Sequence, residues 1–152
     1  MRYWLMKSEP NVYSIDDLER DNVTHWEGVR NYQARNFMRD DMSVGDQVLF
    51  YHSNAKPPGI AGFATVSKTA YPDFFAWDPA SKYFDSKSSP EKPIWMMVEV
   101  KFIKKLSSLI SLDSLKTYPE LAEMMVLRKG SRLSVQPVEK KHFDFIKTTL
   151  ST

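Results

Sequence analysis

The stretch Trp26-Glu27-Gly28-Val29-Arg30-Asn31-Tyr32-Gln33-Ala34-Arg35-Asn36-Phe37 gathers more chemistry than any other part of the chain. An indole comes first and a glycine turns the chain. Arg30, Asn31 and Gln33 follow within four residues, with a second ring at Tyr32 among them. An indole offers a flat face to a planar ligand, and a stacked nucleobase gains about 1–3 kcal/mol on such a ring. The carboxamides of Asn31 and Gln33 hold a donor beside an acceptor, the pattern that matches a base edge. Arg30 and Arg35 carry planar forks suited to phosphate. The plainer alternatives are a core tryptophan and surface ion pairs of the arginines with Glu27 or Asp40. A core tryptophan does not need three polar neighbours. The stretch is therefore expected to form one wall of a pocket.

Two predicted strand ends and one C-terminal cation add polar groups. Lys7-Ser8-Glu9 closes the first strand, and Tyr51-His52-Ser53-Asn54 closes another. If those strands are neighbours, the two clusters converge. Arg132, in Arg132-Leu133-Ser134-Val135, supplies a further positive charge. The alternatives are a structurally satisfied histidine and a solvated sheet edge carrying Lys7 and Arg132.

Other chemistries lack their residues. There is no G-x-G-x-x-G and no P-loop, and no G-x-S-x-G elbow. His25, His52 and His142 do not have zinc-ligand spacing, and no cysteine is present. Disulfides and thiolate metal sites are thereby excluded. Gly59-Ile60-Ala61-Gly62 copies the spacing of the KH clamp loop, but its middle is apolar. Asn22-Val23-Thr24 matches a glycosylation sequon with no secretory signal beside it. No metal or cofactor is expected. A catalytic reading keeps only His52 as acid or base with Glu9 assisting.

The elements that must hold these groups follow from patterning. Arg2 to Lys7 reads as a mostly buried strand, stopped by Pro10. Ser14 caps a helix over Ile15 to Arg20, with Asp16 and Asp17 in its first turn. Val23 to Trp26 is extended. Asn31 caps a helix from Tyr32 to about Asp40 whose apolar side carries Ala34, Phe37 and Met38. Gln47 to Tyr51 and Ile60 to Lys68 are strands, and small residues Ala61, Gly62 and Ala64 admit a close neighbour. Tyr71 to Pro93 is a proline- and aromatic-rich insertion expected to be an ordered loop. Ile94 to Lys105 alternates as a strand, with Ile94, Met96, Val98, Val100 and Phe102 on one face. Short helices are expected over Leu112 to Tyr118 and Pro119 to Met125, a strand at Arg132 to Val135, and a terminal helix over Val138 to Leu150 with Pro137 at its start.

At 152 residues, with 42% hydrophobic and 13% aromatic composition, the chain suits one domain with a real core, residues 1–152. Short strands with helices between them imply an α+β fold on a small curved sheet or barrel. A net charge of +2 is too mild for a non-specific nucleic-acid coater but allows a local basic face. No signal peptide or apolar span of membrane length is visible, so a cytoplasmic protein, or a nuclear one in a eukaryote, is expected.

The blocks Tyr3-Trp4-Leu5-Met6-Lys7-Ser8-Glu9-Pro10, Trp26-Glu27-Gly28-Val29-Arg30-Asn31-Tyr32-Gln33-Ala34-Arg35-Asn36, Val44-Gly45-Asp46, Phe50-Tyr51-His52-Ser53-Asn54, Gly59-Ile60-Ala61-Gly62 and Arg132-Leu133-Ser134-Val135-Gln136-Pro137 together resemble the EVE domain family of the PUA-like superfamily. One departure is visible: Ser86 precedes Lys87 where that family usually has proline and lysine. The resemblance implies a PUA-like barrel and a pocket for a modified base, of the modified-cytosine or methylated-adenine type, in DNA or RNA. It implies base contacts from Lys7, Ser8, Trp26, Arg30, Asn31, Tyr32, His52 and Ser53. Arg35 and Arg132 would lie nearer phosphates. The expected function is a non-catalytic reader of a modified base. A nucleic-acid hydrolase using His52 and Glu9, and an adaptor binding a protein through residues 71–95, are the alternatives.

Overall fold

The computed structural model describes residues 1–151. In chain order the elements are β1 (Tyr3–Ser8), α1 (Ile15–Asp21), β2 (Val23–His25), α2 (Tyr32–Asn36), β3 (Gln47–His52), β4 (Gly59–Pro72), β5 (Met96–Ser111), α3 (Leu112–Leu115), β6 (Val135–Val138) and α4 (Lys140–Phe145). The strands form one mixed sheet in the order β2-β5-β4-β3-β1-β6. The sheet is open, with β2 and β6 at its edges. It is therefore the α+β architecture expected, in its curved-sheet rather than its closed-barrel form.

β1 and β3 are parallel neighbours, with Lys7 opposite Tyr51 and Ser8 opposite His52. Two adjacent parallel strands finish at the same end of a sheet, so the polar residues that end them emerge together. That convergence is what the cleft described below is built on.

A core lies on each face of the sheet. Trp4, Met6, Val48 and Phe50 point to one side, where Ile15 and Leu18 of α1 and Ala34 of α2 cover them. Leu5, Leu49 and Tyr51 point to the other, against Leu115 of α3 and Phe143 of α4. Burial on both faces explains why β1 and β3 read as nearly continuous apolar runs. Asp46, only 2% exposed, ties the strand starts together. Its carboxylate accepts from the Trp4 indole N–H at 3.0 Å, the Arg2 backbone N–H at 3.0 Å and the Ser43 backbone N–H at 2.9 Å.

Several boundaries differ from the patterning, each for a physical reason. β4 and β5 run much longer than expected because they pair with each other along most of their length, with register shifts that absorb the irregular stretches. Met97 and Val98 are both buried, so both faces of β5 are covered there and the alternation of buried and exposed positions is lost. Gly59-Ile60-Ala61-Gly62 is buried inside β4. A Cβ at Gly59 would meet the Ile110 backbone, and one at Gly62 would meet the Lys104 carbonyl. These glycines serve strand packing, and a KH-type clamp loop is not formed. Pro137 lies in edge strand β6, paired with Trp4, where a missing N–H costs nothing in the ladder. Between β5 and β6 the described α-helix is Leu112–Leu115, and the segments after it are single 3₁₀ turns at Pro119–Leu121 and Met125–Leu127.

Candidate nucleic-acid interface

A cleft of about 1060 Å³ opens beside the ends of β1 and β3. Its lining comes from five separate segments: Lys7, Ser8, Glu9, Val12 and Tyr13; Thr24 to Arg30; Ser53 and Asn54; Lys82 and Tyr83; Arg132 and Ser134. Of the sequence-predicted site residues, Lys7, Ser8, Trp26, Arg30, Ser53 and Arg132 stand here together. Asn31, Tyr32, His52 and Arg35 lie outside the lining.

Trp26 belongs to both the core and the cleft. Its backbone N–H donates to the Val98 carbonyl at 2.7 Å, and its ring meets Phe50 edge-on at 5.5 Å. Only 7% of the residue is accessible, and it lines the cleft. The indole is thus a fixed wall whose position the sheet sets.

Arg30 acts as a clamp. Its Nε and Nη2 donate to the Tyr83 carbonyl at 3.1 and 2.7 Å, and its Nη1 donates to Asp73 at 3.0 Å and to the Val29 carbonyl at 3.0 Å. Asp73 is fully buried and also accepts from the Gly28 backbone N–H at 2.9 Å and the Phe75 backbone N–H at 3.0 Å. A buried carboxylate with this many donors is satisfied. Asp73 and Tyr83 both come from the insertion. That segment is accordingly the second wall of the cleft. Tyr83 seats its ring directly on Gly28, where a Cβ would come within 2.5 Å of it. Gly28 also has φ +86°, which only glycine adopts without strain.

Asn31 caps α2, its side-chain oxygen accepting from the Ala34 backbone N–H at 3.0 Å, as expected of a good N-cap. That uses the acceptor half of its carboxamide. Arg35 donates to the Ile94 carbonyl at 2.9 Å and to the Asn36 side-chain oxygen at 2.8 and 3.1 Å. His52 Nε2 accepts from the Ile15 backbone N–H at 3.1 Å. It thereby joins β3 to the start of α1 as a neutral imidazole, and burial lowers its pKa against the opposing pull of Asp16. Ser8 Oγ donates to the Tyr13 carbonyl at 2.6 Å, and the Ser53 backbone N–H donates to the Ser8 carbonyl at 3.0 Å. Lys7 stands 5.8 Å from the Tyr51 ring centroid, and burial pulls its pKa down. Tyr13 donates to Asp21 at 2.9 Å. Burial, with that carboxylate, pushes it up to about 12, so it remains a donor. Glu9 accepts from the Asn54 amide at 2.9 Å.

Asp73 and Tyr83 were not legible as site residues. Asp73 precedes Phe74 and reads as a turn cap, which it also is. Tyr83 is one aromatic among several in the insertion. Among the described residues no cluster of His, Cys, Asp and Glu could hold a metal ion. No described helix is long and apolar enough to cross a membrane.

The fold is an α+β module: an open mixed sheet with a cleft at its parallel strand ends, walled by an indole and a clamped insertion. The EVE domain model matches residues 2–149, and the chain belongs to the EVE domain family. Rat thymocyte nuclear protein 1 is 43% identical over 95% of this chain and 71% of its own length. A Pseudomonas syringae protein of solved structure is 47% identical with a TM-score of 0.92, covering 95% of this chain and 97% of that one. The crystal structure of human THYN1 protein in complex with DNA containing 5-methylcytosine is 41% identical with a TM-score of 0.88, covering 96% of this chain and 95% of that one.

Proposed function

We propose that this chain is a non-catalytic module that receives one modified nucleobase of DNA in its cleft. The observation that carries the reading is the likeness to the human protein solved with 5-methylcytosine DNA, which extends over nearly the whole of both chains. It favours modified cytosine in DNA over methylated adenine or RNA. Trp26 forms the fixed wall. Lys7, Ser8 and Ser53 offer polar groups to the base, and Arg132, exposed at the rim, meets a phosphate. Arg30, Asn31 and His52 position the walls through the hydrogen bonds described above.

The energetics suit a reader. Extruding a base costs a few kcal/mol, and stacking returns about 1–3 kcal/mol. The two nearly cancel, so contacts to the modified base itself decide whether binding occurs. The catalytic alternative has less support, because the acceptor nitrogen of His52 is already engaged with Ile15 and the ring stands outside the cleft lining.

The test is fluorescence anisotropy at fixed salt with duplexes that differ only by one 5-methylcytosine. The wild type binds the modified duplex more tightly, and Trp26→Ala loses that preference while its thermal unfolding remains cooperative. Equal binding of both duplexes by the wild type, or an undiminished preference in Trp26→Ala, overturns the reading. A mass change in the oligonucleotide after incubation, lost in His52→Ala, supports the enzyme instead.

A further inference from the structure

Tyr32 is 57% exposed, more than Phe74 or Phe84, yet it is not loose. It stacks on Trp95 with ring centroids 4.8 Å apart and planes 28° apart. Trp95 is buried and its indole N–H donates to Asp85 at 2.8 Å, so the inner ring of the stack is fixed. The Arg35 guanidinium lies 4.8 Å from the Tyr32 centroid and 5.8 Å from the Trp95 centroid. Groups that close to each other cannot occupy opposite faces of one ring. Trp95 and Arg35 therefore share one side of Tyr32, and solvent reaches the other face.

The position of this open face links it to the cleft. The Arg30 guanidinium is 5.5 Å from the Trp95 ring and 5.6 Å from the Tyr83 ring. Arg30 and Tyr83 both line the cleft. Successive contacts from Arg30 to Trp95 and from Trp95 to Tyr32 thus link the cleft wall to the surface. A rigid ring with one open face and a guanidinium at its border is how single-stranded bases are stacked without sequence choice.

We infer that the outer face of Tyr32 is a second nucleobase site, outside the cleft, which stacks a base left without a neighbour when the modified base is withdrawn from the duplex. This rests on the proposed reading of the cleft. Extrusion removes stacking from the bases around the vacated position, and an aromatic surface held beside the cleft replaces part of it. The site takes any base, because every base has a π-face.

Binding is measured with a duplex carrying one 5-methylcytosine, and with variants of it in which the opposite or a flanking nucleotide is replaced, one at a time, by an abasic one. Tyr32→Ala weakens binding to the intact duplex about tenfold, and Tyr32→Phe binds as the wild type does. One abasic duplex binds the wild type more weakly and no longer responds to Tyr32→Ala, which identifies the stacked base. Wild-type affinity in Tyr32→Ala overturns the inference. So does a loss that persists on every abasic duplex, which would assign Tyr32 to another partner or to the fold. A retained preference for methylated DNA in Trp26→Ala would instead sink the reading of the cleft, whatever Tyr32 does.

Discussion

Arg30 donates twice to a single oxygen, the carbonyl of Tyr83, at 3.1 and 2.7 Å. Residues 53 positions apart are thereby joined across the mouth of the cleft, and the insertion is held to the Gly28 turn as one unit. The same guanidinium neutralises Asp73, whose carboxylate has no exposure.

Removing that guanidinium leaves a buried carboxylate without its charge partner. Arg30→Ala is expected to lower stability by about 3 kcal/mol, read by urea denaturation. Arg30→Lys restores little, because an ammonium cannot reproduce the planar fork. Modified-base binding falls in both variants as the second wall loosens.

Gly28 and Tyr83 are expected to be energetically coupled. Gly28→Ala suffers twice, from its positive φ and from the collision with the Tyr83 ring. Tyr83→Ala relieves the collision but not the backbone strain. A double-mutant cycle on unfolding free energy therefore shows the pair costing less than the sum of the singles by about 1 kcal/mol.

His52 gives stability a pH dependence of known sign. Its pKa is lowered in the fold, so the unfolded chain binds the proton more readily. The stabilisation is complete above the ordinary histidine value of 6.5 and is lost as pH falls from there through the lowered value. Melting temperature should drop between pH 7.5 and 5, and the drop should be smaller in His52→Gln, which keeps an acceptor for the Ile15 N–H. Identical slopes in the two proteins would remove His52 from the account.

Arg132 is predicted to act on affinity without regard to the base. Arg132→Ala weakens binding to modified and unmodified duplexes alike and reduces the slope of log K against log salt by about one. A selective loss on the modified duplex would move Arg132 from the phosphate to the base.

Much of the frame was legible because local rules and tertiary structure agree in it. Ser14 caps α1 and Asn31 caps α2 through their side-chain oxygens, and the apolar runs of β1 and β3 became central strands. The convergence of Lys7-Ser8 with Ser53 followed from strand adjacency alone. Legibility failed where a residue's role depends on distant chain. The donors that Asp73 receives from Gly28 and Arg30 lie 45 and 43 positions away, and nothing local distinguishes it from an ordinary turn aspartate. Arg30 and Arg35 looked available for phosphate because their carbonyl partners, Tyr83 and Ile94, lie beyond any local window. Patterning likewise expected a strand at Arg132 to Val135, whereas pairing with β1 sets β6 at Val135–Val138.

The five-segment lining of the cleft carries a practical consequence for anyone wishing to transplant it. No peptide cut from this chain will carry the cleft with it, since each segment contributes part of the lining and none the geometry. Grafting would require moving the sheet, the turn and the clamped segment as a block, and trimming the 71–95 region to make a smaller probe would dismantle the cleft wall.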